Sequence, residues 1–212
     1  MALSTYALVS LAEAYQEVGG SSGNSTDGRL ELSINQASFM IEAYLDRKIV
    51  TRGSATWYTR ARCHGSELTL PEWPIISVTS IHESDDTPPA YDSTSLLVAD
   101  TDYQTVAPRV LRRISAGVPY YWNGGSRAVR LVASLGYATT AAVPDIIKRP
   151  ALTLVALLWR ERERGAQGVS SASDAQGNYT RFSAAGLTPA LEQMLSTERR
   201  LTVGRGAWEQ AS

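Results

Sequence analysis

The chain has 212 residues, enough for one or two domains that bury roughly 70% of the surface exposed by the unfolded form. Its 43% hydrophobic and 19% charged residues, with a net charge of −1, exclude a wholly disordered chain and a strongly basic DNA-wrapping protein. The one cysteine, Cys63, rules out an intrachain disulfide or a site built from several cysteines and suits a reducing compartment. No run approaches the roughly 18 apolar residues of a membrane span and no secretory leader is evident, so a soluble intracellular product is expected.

Taken in chain order, the first element is a short helix. Ser10 stands three residues before Glu13 at the head of Leu11, Ala12, Ala14, Tyr15 and Val18, a capping-box pattern, and Gly19 and Gly20 end it. Residues Ser21 to Asp27 are all small or polar and read as an exposed loop. Leu30, Ile34, Ala37, Ile41, Tyr44 and Leu45 then recur at three- and four-residue spacing, which predicts a long amphipathic helix over about 28–47. Beyond it the pattern changes to β-branched and aromatic runs at Ile49–Arg62, Glu67–Leu70, Ile75–Ile81, Tyr103–Ile114 and Ala128–Tyr137, punctuated by Gly and Pro. This stretch, about 49–137, is expected to be mainly strand. Glu83, Asp85 and Asp86 run into Thr87 and two prolines, as a surface turn would.

Pro144 and Asp145 open a second long helix to about residue 164, with Pro150 expected to kink it or delay its start. Between Ala151 and Trp159 only Thr153 is polar. Leu152, Leu154, Val155, Leu157, Leu158 and Trp159 thus cover every side and require burial from several directions, by neighbouring copies of the chain or within an ordinary core. Residues 165–186, most of them small and polar, read as a flexible linker. In the tail segment 187–212, Thr188 and Pro189 start a final helix whose stripe of Leu191, Met194 and Leu195 is the kind that lies in a groove on another protein. The fold class expected is α+β: a helical core, an inserted antiparallel β region and a tethered C-terminal helix, with residues 1–164 as the main domain.

No reactive constellation emerges. Gly19 to Gly28 holds four glycines but lacks a preceding strand and a following Lys-Ser/Thr pair, so it is not a phosphate loop. Cys63, His64 and His82 are of metal-ligating type, yet neighbours on a strand point to opposite faces, and ordinary strand residues are expected instead. No serine sits in a nucleophile-elbow sequence. The expectation is no catalytic site, no metal and no cofactor. Arginine outnumbers lysine 18 to 2, and Arg109, Arg112 and Arg113 form the densest basic group in the strand region. They are candidates for contact with a DNA backbone or with another protein, as are the nearby Tyr120, Tyr121 and Trp122.

The order of segments carries a resemblance. A capped helix leads to a long helix ending Ile41-Glu42-Ala43-Tyr44-Leu45-Asp46-Arg47; then comes Leu68-Thr69-Leu70-Pro71-Glu72-Trp73-Pro74-Ile75-Ile76-Ser77-Val78; Gly136-Tyr137 precedes Val143-Pro144-Asp145-Ile146-Ile147-Lys148 and a helix closing on Trp159 and Arg160. Over roughly residues 8–164 this resembles the head-tail connector (adaptor, or head-completion) proteins of tailed bacteriophages and related gene-transfer particles. The resemblance implies a virion protein of the neck, made in the host cytoplasm, that forms a ring, commonly of twelve copies. Such a ring docks under the portal, continues the channel for double-stranded DNA and meets a tail protein, without catalysis, cofactor or membrane. It also implies a portal-contacting arm at Leu187, Pro189, Leu191, Met194, Leu195, Arg199, Arg200 and Leu201. Another tail-completion or neck interaction protein is the alternative, and a hydrolase a distant one.

Overall fold

A computed structural model describes residues 2–20, 27–59, 65–86, 88–125, 127–163, 171–173, 179–181, 187–199 and 208–211. Residues 21–26, Cys63, His64, Arg200, Leu201 and most of the expected linker lie outside these. The chain is α+β, with four α-helices and antiparallel sheets among the described residues. It divides into two units, residues 1–50 with 138–200 and residues 51–137 with 201–212.

The helical unit begins with α1 (Leu11–Val18), capped as its sequence indicates. The Glu13 amide donates to Ser10 Oγ at 3.2 Å and the Ser10 amide to Glu13 Oε2 at 2.7 Å. Gly19, at φ 77°, takes the left-handed turn that ends the helix. In α2 (Asp27–Leu45) the periodic residues Leu30, Ile34, Ala37, Ile41 and Leu45 are all fully buried. The long α3 (Asp145–Glu163) runs through Pro150 without a delayed start, because the amides of Ile147 and Lys148 already donate to the Pro144 carbonyl at 2.9 and 3.0 Å. Packing of α3 against α1 and α2 buries Ile147, Ala151, Leu154 and Val155. Lys148 Nζ reaches Glu13 Oε1 at 2.9 Å, tying α3 to the capping box of α1. Within the segment expected to be a linker, β9 (Ser171–Ser173) pairs with β10 (Tyr179–Arg181). The last helix is α4 (Pro189–Leu195), with Thr188 Oγ1 accepting from the Leu191 amide.

The β unit holds β1 (Ser54–Thr59), β2 (Glu67–Thr69), β3 (Ile75–Glu83), β4 (Leu96–Leu97), β5 (Tyr103–Ala107), β6 (Val110–Ser115), β7 (Val118–Pro119), β8 (Val129–Leu135) and β11 (Trp208–Gln210). One sheet has the order β11-β1-β8-β3-β4 and the other β2-β6-β5, with β7 paired to β6. The central strand β8 alternates cleanly: Val129, Leu131, Ala133 and Leu135 are buried, while Arg130, Val132 and Ser134 lie on the other face. Trp57, Leu68, Leu70, Ile81, Tyr103, Leu111 and Trp122 join the buried set, so residues of both sheets share one core. A two-residue turn, Ala116 at φ 50° and Gly117 at φ 79°, links β6 to β7, the left-handed pair that suits strand twist.

Candidate functional site

The final helix is where the residues of the proposed arm can be placed. Leu187, Leu191 and Leu195 are buried in the helical unit, where α4 packs on α3, so the two leucines of the apolar stripe are used within the chain and its Met194 is not. The C-terminal end of α2 holds the same segment by polar contacts. Tyr44 Oη donates to the Glu192 carbonyl at 3.0 Å, and Arg199 lies 5.0 Å from the Tyr44 ring centroid. Arg47, whose side chain is fully enclosed, donates from Nε to the Glu198 carbonyl at 3.1 Å and from Nη2 to Glu198 Oε2 at 2.7 Å. Glu42 Oε1 accepts from the Ile49 amide at 2.9 Å. The segment Ile41–Arg47 is thus a dock for the chain's own C-terminal helix. What α4 leaves outside is Met194, 52% exposed, beside a groove of 310 Å³ lined by Asp145, Ile146, Arg149 and Pro150.

The all-round apolar character of α3 has a cause inside the chain. With α1, α2 and α4 all against it, Leu154, Val155 and Leu158 are buried and Leu152, Leu157 and Trp159 half-buried. Of the two alternatives open from the sequence, the core helix accounts for Leu154, Val155 and Leu158.

Arg109, Arg112 and Arg113 each have a partner within the chain. Arg113 donates from Nε to Glu83 Oε2 at 2.8 Å and from Nη1 to the Asp102 and Ile114 carbonyls at 2.7 and 2.8 Å. Glu83, with 5% of its side chain exposed, also accepts from the Asn123 amide at 2.6 Å. It therefore ends β3 as a buried counter-ion rather than opening a surface turn; the turn starts at Ser84, whose Oγ accepts from the amides of Asp86 and Ala90. Arg112 pairs with Glu67 at 2.7 Å on the surface, and Arg109 sits 5.5 Å from the Trp73 ring. In the register Arg112 lies between Glu67 on β2 and Gln104 on β5, and Arg113 lies opposite Tyr103 on β5. Trp122 is buried with Nε1 donating to the Ser66 carbonyl at 3.0 Å, and this anchors a loop that leaves Tyr120 and Tyr121 more than half exposed.

Of the three metal-type residues only His82 is described. Its Nδ1 lies 3.1 Å from both the Asp92 carbonyl and Ser95 Oγ. Burial first, and then the positive Arg130, hold its pKa below the ordinary 6.5, so the ring is neutral at pH 7. Among the described residues no group of three or more His, Cys, Asp or Glu is arranged to hold a metal, and no helix is long and apolar enough to cross a membrane.

Among the strands that sequence reasoning missed is β11. It adds to the free edge of β1 with Trp57 opposite Gln210 and Thr59 opposite Trp208, and Trp208 Nε1 donates to the Thr69 carbonyl at 2.9 Å. Three residues after a glycine-rich stretch carry too little periodicity to announce a strand; the lone Trp was the available signal.

No protein-family model matches the chain, and no curated protein does. Solved structures do. A chain in the virion of a native gene transfer agent particle is 18% identical with a TM-score of 0.57, covering 97% of this chain and 96% of its own. A chain in the neck of an empty gene transfer agent particle, computed with C6 symmetry, matches with the same values. One in the neck of a native particle, computed with C12 symmetry, is 17% identical with a TM-score of 0.55 over the same shares. The chain shares its fold, from one end to the other, with chains of gene transfer agent virions and necks.

Proposed function

We propose that this chain is a structural protein of the neck of a tailed-phage-like particle, where copies of it form a ring beneath the portal, continue the DNA channel and join head to tail. The observation that carries the reading is the end-to-end likeness to neck chains, 97% of this chain on 96% of theirs. Those necks were computed with C6 and C12 symmetry, in keeping with a homo-oligomeric ring. A head-to-tail ring uses two different patches on each subunit. The exposed Met194 with its groove in the helical unit, and Tyr120 and Tyr121 in the β unit, are the candidate patches.

The portal contact is assigned to the final segment, Leu187 to Leu201. Because Leu187, Leu191 and Leu195 are occupied inside the chain, the contacting side is Met194 and Arg199. The α3 residues Leu152 to Trp159 support the ring by keeping the helical unit rigid, and Arg109 and Arg112 are assigned to contacts with neighbours or DNA. The reading assigns no catalytic step. The experiment is co-expression with the particle's portal protein followed by sedimentation. Co-migration of the two as one ring complex is expected, and a chain that stays apart from portal at every ratio overturns the proposal.

A further inference from the structure

One row of side chains crosses the five-stranded sheet on the face turned away from the core. Tyr58 pairs with Glu209 on β11 and with Arg130 on β8, and Arg130 pairs with His82 on β3. Tyr91 stacks over this row, its ring 5.8 Å from that of Tyr58 and 6.3 Å from that of His82. Two guanidinium groups lie on the two tyrosines: Arg127 at 4.1 Å from the Tyr58 centroid and Arg130 at 4.8 Å from that of Tyr91. The Tyr91 hydroxyl donates to the Arg127 carbonyl, which fixes the loop that carries the first of them.

Among the described residues Arg130 meets no hydrogen-bond acceptor. Its Nε is buried without a hydrogen-bond partner, and among the described residues it makes no ion pair. The enclosed Nε is out of reach of an external ligand, so the terminal Nη1 and Nη2 donors of this half-buried guanidinium are the ones that an external oxyanion meets. Among the described residues Arg127 has one loose ion pair, with Glu209 at 3.6 Å and both side chains more than half exposed, which a better acceptor can displace. Arg113 offers a contrast on the same unit, its donors being taken by Glu83, Asp102 and Ile114.

We propose that Arg130 and Arg127, held on the Tyr91 and Tyr58 rings, form a phosphate-binding surface for the backbone of double-stranded DNA. A lone carboxylate satisfies one guanidinium, whereas a polymer of phosphodiesters presents acceptors in series to both. Contact to phosphate carries no sequence information, and two contacts per copy leave the polymer free to slide. The source of the DNA rests on the proposed place in the neck; the binding itself does not.

The test uses the purified full chain and a short duplex of arbitrary sequence, with fluorescence anisotropy read from roughly 50 to 200 mM salt. Two phosphate contacts predict a log–log salt slope of about −1.8, and Arg130→Gln or Arg127→Gln should each bring it to about −0.9. Thermal melting of each variant shows that the fold persists; Arg127 is 52% exposed on its side chain, so Arg127→Gln carries the test if Arg130→Gln fails to fold. Absence of duplex binding at the lowest salt, or a slope that neither variant changes, overturns the proposal. So does binding of inorganic phosphate without binding of duplex, which assigns the site to the free ion. Displacement of the duplex by polyglutamate at equal charge concentration also overturns it, in favour of a partner's carboxylate. A chain that binds duplex yet ignores portal keeps this site and loses the neck reading, and the reverse outcome does the opposite.

Discussion

Replacing Leu195 by alanine tests whether the final helix belongs to the body of the protein or hangs from it. Leu195 is fully buried, one turn beyond the buried Leu191, while their neighbour Met194 is 52% exposed. Leu→Ala removes roughly three carbons, about 2.4 kcal/mol at about 0.8 kcal/mol each, and the unfilled cavity adds to it, for a total of about 3 kcal/mol. That is about a hundredfold in the folding equilibrium. Met194→Ala on the same helix should cost no more than about 0.5 kcal/mol. Chemical denaturation followed by far-ultraviolet circular dichroism, with hydrogen exchange of α4 and of the C-terminal end of α2, gives both values. Equal and small effects for the two variants, with unchanged exchange in α2, would refute the docking of α4 and restore a helix held only by its linker. The same packing bears on truncation: deleting 187–212 removes Leu187, Leu191 and Leu195 from one unit and β11 from the other, so loss of portal binding by such a protein reports on folding as well as on contact.

Three further outcomes follow from the geometry. Trp208→Ala, which removes the bond to the Thr69 carbonyl and a half-buried ring, should cost about 2 kcal/mol and raise hydrogen exchange along β1. Arg113→Met strands the buried Glu83 carboxylate and should cost about 3 kcal/mol, whereas Arg112→Ala, which breaks the surface pair with Glu67, should stay within about 0.5 kcal/mol; thermal melting separates them. Because the folded pKa of His82 is depressed, the unfolded chain binds its proton first as pH falls. Its contribution is therefore absent above the ordinary value of 6.5, and stability declines below that until the folded group also titrates. His82→Gln should flatten that part of the melting-temperature profile, and an unchanged slope would assign it to other groups.

What the sequence makes legible here follows from how local each signal is. The Ser10–Glu13 box, the Leu30-to-Leu45 stripe, the Thr188–Pro189 start and the strand run at Ala128–Tyr137 all depend on patterns a few residues long, and each appears in the structure at its expected position. Pairings across long separations are not written in any window. Arg47 meets Glu198 across 151 residues, Trp208 meets Thr69 across 139, and Arg113 meets Glu83 across 30. For that reason the final helix read as leashed, Glu83 as part of a turn, and Arg113 as a candidate for contact with DNA or another protein. The apolar circumference of α3 was plain, but its cover, three helices of the same chain, was equally open to neighbouring copies. The candidate phosphate surface was hidden for a related reason. Tyr58, Tyr91, Arg127 and Arg130 come from separate segments, and only the sheet register brings them into one row.

The central claim, that this chain is a ring subunit of a particle neck, is tested most directly by electron cryomicroscopy of the assembled particle at its portal vertex. The account predicts a rotationally symmetric ring of this chain between portal and tail, with α4 packed on its own α3 in every copy. Particles that assemble complete necks without this chain would contradict it.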